Sequence, residues 1–306
     1  MAKQSLRRER NIWLLICLVP PLAFMVVFTL LPAVTAIGYS FFNFTSFNRE
    51  GFVGLGNFAK LTQFPFNEQF TKALTNVITV FLALMIVQNG LGLLLSYALW
   101  RQPPGFKFFR AVVFLPVILS LVVVGFLWRL LLDPTFGPIN KTLSAIGLDS
   151  IALAWLGDSS TALGTLVVIN AWRWVGFPTL VFLAGMNAIP DDYYEAAKLD
   201  GASGWQMYRF ITLPLLAPSF TIIVILTFIG SMEWFELPYL MNGVTGSPAG
   251  ATDTLVLMFY RLAFGGIGDS ATDVGLAAAI SVLLFIIVGV GSAFGALQLR
   301  RREVEL

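Results

Sequence analysis

Histidine is absent from the 306 residues, cysteine occurs once, and charged residues make up only 12% of the chain. Without histidine there is no imidazole acid–base chemistry and no use of the commonest transition-metal ligand. A single Cys17 excludes a disulfide framework or a cysteine metal site within one chain. The sequence G-x4-G-K-[ST] is also missing, so the chain lacks the phosphate-binding loop of an ATPase. A net charge of +2 is too small to argue for a nucleic-acid partner. What the chain has instead is apolar length: 57% hydrophobic residues and a mean hydropathy of +0.81. A soluble domain carries roughly a quarter charged residues, so the composition points to an all-α polytopic membrane protein.

Apolar runs long enough to cross a bilayer recur at roughly 12–38, 73–99, 111–132, 161–187, 215–240 and 275–298. The first is longer than a signal-peptide core and no A-x-A-like cleavage site follows it, so it reads as a retained span. Six spans put both termini on one side. With the N-terminus inside, the inner segments carry Lys3, Arg7, Arg8, Arg10, Arg101, Lys107, Arg110, Lys198, Arg209, Arg300, Arg301 and Arg302. The outer segments carry only Arg49, Lys60, Lys72, Lys141 and Arg261. The excess of inner cations predicts cytoplasmic termini. The segment 190–214 is then cytoplasmic too.

That segment is polar and rich in small residues, and its local chemistry predicts a shape. Pro190 suits a helix start, and Asp191 and Asp192 suit the positive end of the helix dipole. Gly201 can take the left-handed conformation that ends a helix. Ser203 can cap a second short helix closing near Arg209, and Pro214 restarts the chain toward the next apolar run. Glu195-Ala196-Ala197, Gly201, Ile211 and Leu213-Pro214 match EAA-x3-G-x9-I-x-L-P at every fixed position. This pattern resembles the cytoplasmic loop of permease subunits in binding-protein-dependent ABC importers. The resemblance implies a type I ABC importer permease fold with six transmembrane helices, one permease domain over 1–306. It also implies that Glu195, Ala196, Ala197, Asp200, Gly201, Ile211, Leu213 and Pro214 form the contact with a separate ATPase.

Other stretches are similar to the maltose-type sugar permeases of the carbohydrate-uptake importers. These are Phe52-Val53-Gly54-Leu55-Gly56-Asn57-Phe58, Asp273-x-Gly275-x-Ala277-Ala278-Ala279, and Leu240 to Pro248 with Thr252-x-Thr254-Leu255. Val244 and two extra positions before Pro248 depart from the family pattern in the last of these. The resemblance places Ile229, Gly230 and Glu233 in the fifth span, and Val175, Gly176 and Thr179 in the fourth, where family members contact sugar. The residues themselves add Trp172, Arg173 and Trp174. A charge inside an apolar run is costly and marks a functional position or an interfacial one, and stacked tryptophans suit the C–H faces of sugars. Glu233 has no basic neighbour in sequence, so it needs a wet cavity, a proton or a partner such as Arg173. Gln88 and Asn89 can hydrogen-bond across helices, chiefly as packing contacts. Gly176 and Pro178 mark a weak point in the fourth span, of the kind transporters use to build sites.

The family assembles two homologous permeases, two ATP-binding subunits and an extracytoplasmic solute-binding protein in the inner membrane of bacteria or archaea. The resemblance therefore implies that this chain binds no cofactor, while ATP and Mg sit on the partner ATPase. The 190–214 loop would act as a lever tipping the spans outward-open when ATP closes the ATPase pair. Sugars, polyols and glycerol phosphate esters remain open as cargo; phosphate esters would favour Arg173, neutral sugars Trp172, Trp174 and Glu233. The other readings are a proton-coupled secondary transporter using Glu233, an intramembrane enzyme with little chemistry to use, and a non-transporting scaffold.

Overall fold

The computed structural model describes residues 2–45, 47–265 and 272–300, with the side chains of 13–45, 47–265 and 272–299. Arg301 and Arg302, used above for orientation, lie outside the described residues. Among the described residues three helices are long and apolar enough to cross a membrane: Trp13–Tyr39, Phe66–Trp100 and Val274–Leu299. Three bent pairs pass the same test: Phe106–Ile118 with Leu121–Leu131, Ala162–Trp174 with Gly176–Ala188, and Gly204–Leu215 with Ala217–Met232. Counting each pair once makes six spans.

The bends of 98°, 47° and 61° have local causes. In the third span Leu119 and Ser120 are extended (ψ 138° and 136°), which stops one helix and starts another at right angles to it. In the fourth, Pro178 has no N–H to return to the carbonyl of Trp174. In the fifth, Leu216 leaves helical geometry between Pro214 and Pro218. The short helix begun at Ser203 therefore does not close near Arg209. It runs on through a wide turn at Tyr208–Thr212 and bends into Ala217–Met232.

A second departure lies at the other end of that span. The apolar run 215–240 is not one helix: it stops at Met232, and a separate helix, Glu236–Asn242, follows. Pro238 lacks the N–H that a continuous helix would direct to Trp234, so the break falls on Glu233–Phe235. The second span is longer than its apolar core. Phe66–Trp100 has 35 residues, about 52 Å at 1.5 Å each, longer than the roughly 30 Å hydrocarbon layer.

Phe66–Trp100 is the axis of the bundle. It packs along both halves of the fourth span and along Ala217–Met232, while Val274–Arg300 packs on Ala217–Met232 and Leu255–Phe264. Small residues set the closest approaches. A Cβ at Gly92 would lie 2.9 Å from Pro178, and one at Gly291 2.6 Å from the Phe228 ring. Gly92→Val is expected to destabilise the protein by about 1–3 kcal/mol through overpacking, read as a lower thermal midpoint in detergent. Gly289→Val, where a Cβ meets nothing within 4 Å, is the matched control.

The end of the bundle opposite 190–214 carries an irregular cap. A hairpin of Phe42–Thr45 and Asn48–Phe52 interrupts an otherwise helical chain. Asn57, fully buried, donates to the carbonyls of Ser40 and Phe42 and ties the hairpin down. Asp273 accepts from the N–H of Leu276 and pairs with Lys60 at 3.0 Å, so the FVGLGNF stretch and the start of the sixth span meet here. Ala277, Ala278 and Ala279 are buried behind it. Pro138–Ala145 forms a short helix in the 133–160 loop, with Asn140 accepting from the Trp155 indole at 2.7 Å. Trp13–Tyr39 meets the bundle through its last part, Leu31–Tyr39, against Val274–Arg300, and its most apolar stretch buries nothing against the rest of the chain.

Candidate functional site

The segments flanking the breaks of the fourth and fifth spans line one cavity of about 630 Å³. Leu84, Gln88 and Asn89 come from the second span, and Asn170, Arg173, Trp174 and Phe177 from the fourth. Thr227, Gly230 and Ser231 come from the fifth, and Glu233 through Leu237 from the break and the short helix after it. Amides join the three spans. Asn170 Nδ2 donates to Gln88 Oε1 at 3.1 Å, Gln88 Nε2 to Asn89 Oδ1 at 3.4 Å, and Asn89 Nδ2 to Thr227 Oγ1 at 3.0 Å. Gln88 and Asn89 are buried, and this chain satisfies polar groups that would otherwise be costly in an apolar bundle.

The charges are arranged differently. Arg173 lies over the Trp174 ring at 5.1 Å, and its buried Nε has no partner among the described residues. Glu236, three residues beyond Glu233 and across the break, shares the cavity wall with Arg173. Among the described residues the ion pairs within 4.0 Å are Lys60–Asp273 and Arg261–Asp253, so Arg173 and Glu233 do not form a direct bridge. The cavity thus presents two carboxylates, one guanidinium, amides that bridge helices, and the rings of Trp174, Trp234 and Phe235.

Of the candidate pathway residues, Arg173, Trp174, Gly230 and Glu233 lie on this wall. Trp172 turns away and packs edge-to-face on Trp128, with centroids 5.5 Å apart. Val175, Gly176, Thr179 and Ile229 lie off the wall. Thr179 is fully buried and donates its hydroxyl to the Val175 carbonyl at 2.7 Å. Gly176 lets the fourth span meet the third, since a Cβ there would sit 2.8 Å from the Val113 carbonyl. Asn170, Trp234, Phe235 and Glu236 are wall residues that the sequence did not single out. An acid at i+3 from Glu233 was the one available signal for Glu236.

At the other end of the second span lies the 190–214 module. Asp191–Leu199 is a helix with Asp191 and Asp192 in its first turn, and Gly201 follows at φ +76°. Ser203 and Gln206 form a reciprocal capping box for the helix after it. Ala197, Asp200, Gly201 and Ile211 line a surface groove of about 330 Å³ with Ala202, Gln206, Met207 and Phe210. Glu195, Ala196 and Pro214 are exposed, and so are the large apolar side chains Leu199, Trp205 and Phe210, at 90%, 70% and 71%. Leu213 instead points inward, against the cluster of Met186, Tyr208 and Leu216. Rings bind the module to the second span: Trp100 to Tyr194 at 5.3 Å and Tyr97 to Tyr208 at 4.5 Å. Tyr194 shares a 3.0 Å hydrogen bond with Thr212, and burial holds its phenol above the ordinary range, in the protonated form.

Comparison with known proteins agrees with this anatomy. Residues 136–303 match the family described as binding-protein-dependent transport system inner membrane component. The chain is 28% identical to a probable starch degradation products transport system permease, AmyD, of Thermoanaerobacterium thermosulfurigenes, across 100% of both chains. It is 32% identical to the trehalose/maltose transport system permease MalF of Thermococcus litoralis, across 92% of this chain and 91% of that one. Its fold superposes with a TM-score of 0.83, at 25% identity, on a chain of a bacterial ABC transporter involved in import of the acidic polysaccharide alginate, covering 98% and 99% of the two chains. A helical bundle of this form, its broken spans around a cavity and a motif-bearing module at one end, is a type I ABC permease fold, and the chain belongs to the binding-protein-dependent transport system inner membrane component family of ABC transporter permeases.

Proposed function

We propose that this chain is half of the translocation pathway of an ATP-driven carbohydrate importer. One observation carries the reading. A single helix, Phe66–Trp100, holds Gln88 and Asn89 in the cavity and seats Tyr97 and Trp100 under the 190–214 module. Movement of that module is thereby movement of the cavity wall. In this reading residues 1–306 act as one permease domain in the inner membrane, both termini and the 190–214 module cytoplasmic. Glu195, Ala196, Ala197, Asp200, Gly201, Ile211 and Pro214 meet the ATPase, and Leu213 transmits the contact inward. A second, homologous permease completes the pathway. Two ATPase subunits bind ATP and Mg, this chain binding neither, and a solute-binding protein delivers cargo from outside. ATP closure of the ATPase pair shifts the spans because it favours one of their two states over the other.

The cargo follows from the wall chemistry. Amides donate to and accept from sugar hydroxyls, carboxylates accept from them, and the rings stack on C–H faces. Two carboxylates against one guanidinium disfavour a polyanion, so a neutral sugar of disaccharide or oligosaccharide size fits better than a uronate polymer or a phosphate ester. The named relatives that handle starch products, trehalose and maltose fit the same class. The test is uptake into vesicles carrying the assembled transporter, with labelled maltose, trehalose and maltotriose. The expected result is uptake that needs ATP and the binding protein and survives a protonophore. Uptake that follows the proton gradient and persists without the ATPase would overturn the reading.

A further inference from the structure

We propose that Phe235, Tyr239 and Tyr260 form an aromatic track along which the sugar passes between a second cavity and the central one. This rests on the carbohydrate reading above. The second cavity, of about 550 Å³, lies toward the end of the bundle opposite 190–214, with Arg129, Asp133, Tyr239, Asn242 and Ser247 in its wall. The short helix Glu236–Asn242 is common to both spaces. Glu236 and Leu237 line the central cavity, and Tyr239 through Asn242 line the second.

Rings bridge the wall between the two cavities. Phe235 lines the central cavity and stacks on Tyr239 of the second, with centroids 5.2 Å apart and planes 23° from parallel. Tyr260, from Leu255–Phe264, lies 5.2 Å from Phe235 and 5.6 Å from Tyr239. Phe264 continues the row 5.2 Å from Tyr260 and is 62% exposed. One ring-to-ring step therefore separates the two cavities. Phe235 and Tyr239 border open volume, Tyr239 being 37% exposed, while Tyr260 backs both rings and lines neither cavity.

The chemistry suits transfer better than capture. A pyranose offers C–H groups on its faces and hydroxyls around its rim. Successive rings give it similar stacking contacts, each modest, so that no single position holds it deeply. The tyrosine hydroxyls and the polar groups of Asn242, Asp133 and Arg129 can exchange hydrogen bonds with the rim.

The experiment uses the assembled transporter in vesicles and whichever of maltose, trehalose and maltotriose the wild type imports. Uptake and ATP hydrolysis are measured on the same vesicles. Tyr239→Leu and Tyr260→Leu keep apolar bulk and remove the ring. Each is expected to lower the sugar moved per ATP hydrolysed about fivefold, the scale of one lost stacking contact. Tyr239→Phe keeps the ring and loses only the hydroxyl, and is expected to lower the ratio less than Tyr239→Leu. An unchanged ratio in both leucine variants overturns the track alone, as does a proportional fall of uptake and hydrolysis, the mark of packing. A wild type that imports none of the three sugars with ATP overturns the carbohydrate reading and the track together.

Discussion

Glu195→Lys and Gly201→Asp are each expected to reduce recovery of the ATPase with this chain at least about tenfold, the equivalent of 1.4 kcal/mol, and to bring sugar uptake to background. The two act by different physics. Glu195 is exposed on the helix Asp191–Leu199, so the lysine reverses a charge on the proposed docking face without disturbing the fold. Gly201 sits at φ +76°, where a Cβ is strained, and an aspartate there adds a carboxylate to the groove beside Asp200. A Cβ at Gly201 meets no atom within 4 Å, so the protein should still insert and pack. The check is affinity purification through this chain with ATPase recovery measured by immunoblot, beside uptake. Full recovery and normal uptake in both variants would show that the ATPase is held elsewhere, and the lever would have to be sought outside 190–214.

Asp253→Ala should be the most damaging single change to the cap, at about 3–5 kcal/mol. Asp253 is 4% exposed and receives Arg261 through two bonds, Nη2 to Oδ2 at 2.9 Å and Nη1 to Oδ1 at 3.3 Å. Its Oδ1 also accepts from the N–H of Thr254, whose hydroxyl caps the helix Leu255–Phe264. Asn76 of the second span donates to the carbonyls of Gly250 and Asp253, so the cap is tied to the axis of the bundle at this point. Alanine leaves the guanidinium enclosed and short of its counter-charge. Thermal unfolding in detergent should show a large drop. The double variant Asp253→Ala/Arg261→Leu removes the orphaned charge and should recover part of the loss. Equal loss in single and double variants would mean that the helix cap and not the ion pair holds this region.

The residues of this ion pair were in view in the sequence, yet their pairing was not. Arg261 counted only as an outer cation, because eight positions and a helix start separate it from Asp253. The same holds for the cavity. Asn170 and Gln88 are 82 positions apart, and nothing local to either reveals that one donates to the other. Glu233 drew notice as an isolated acid, whereas the wall that holds Arg173 carries a second carboxylate, Glu236. Trp172 and Trp174 are equivalent by composition, but a helix turns successive side chains about 100° apart. One therefore joins the core against Trp128 and the other reaches the cavity.

By itself the sequence determined the class of protein, the approximate spans and the chemistry of the 190–214 module. Each depends on local quantities: apolar length against bilayer thickness, proline and glycine at helix ends, and a motif confined to twenty residues or so. The fourth span's weak point was legible for the same reason, since Pro178 removes a hydrogen bond wherever it sits. Tertiary structure alone decided where the fifth span ends, which side chains share the cavity, and that one helix joins the cavity to the module. The physical reason is that a broken helix in an apolar bundle survives only where neighbours or water satisfy its free backbone groups. Hydropathy averages over such breaks, and those neighbours are brought together by the fold.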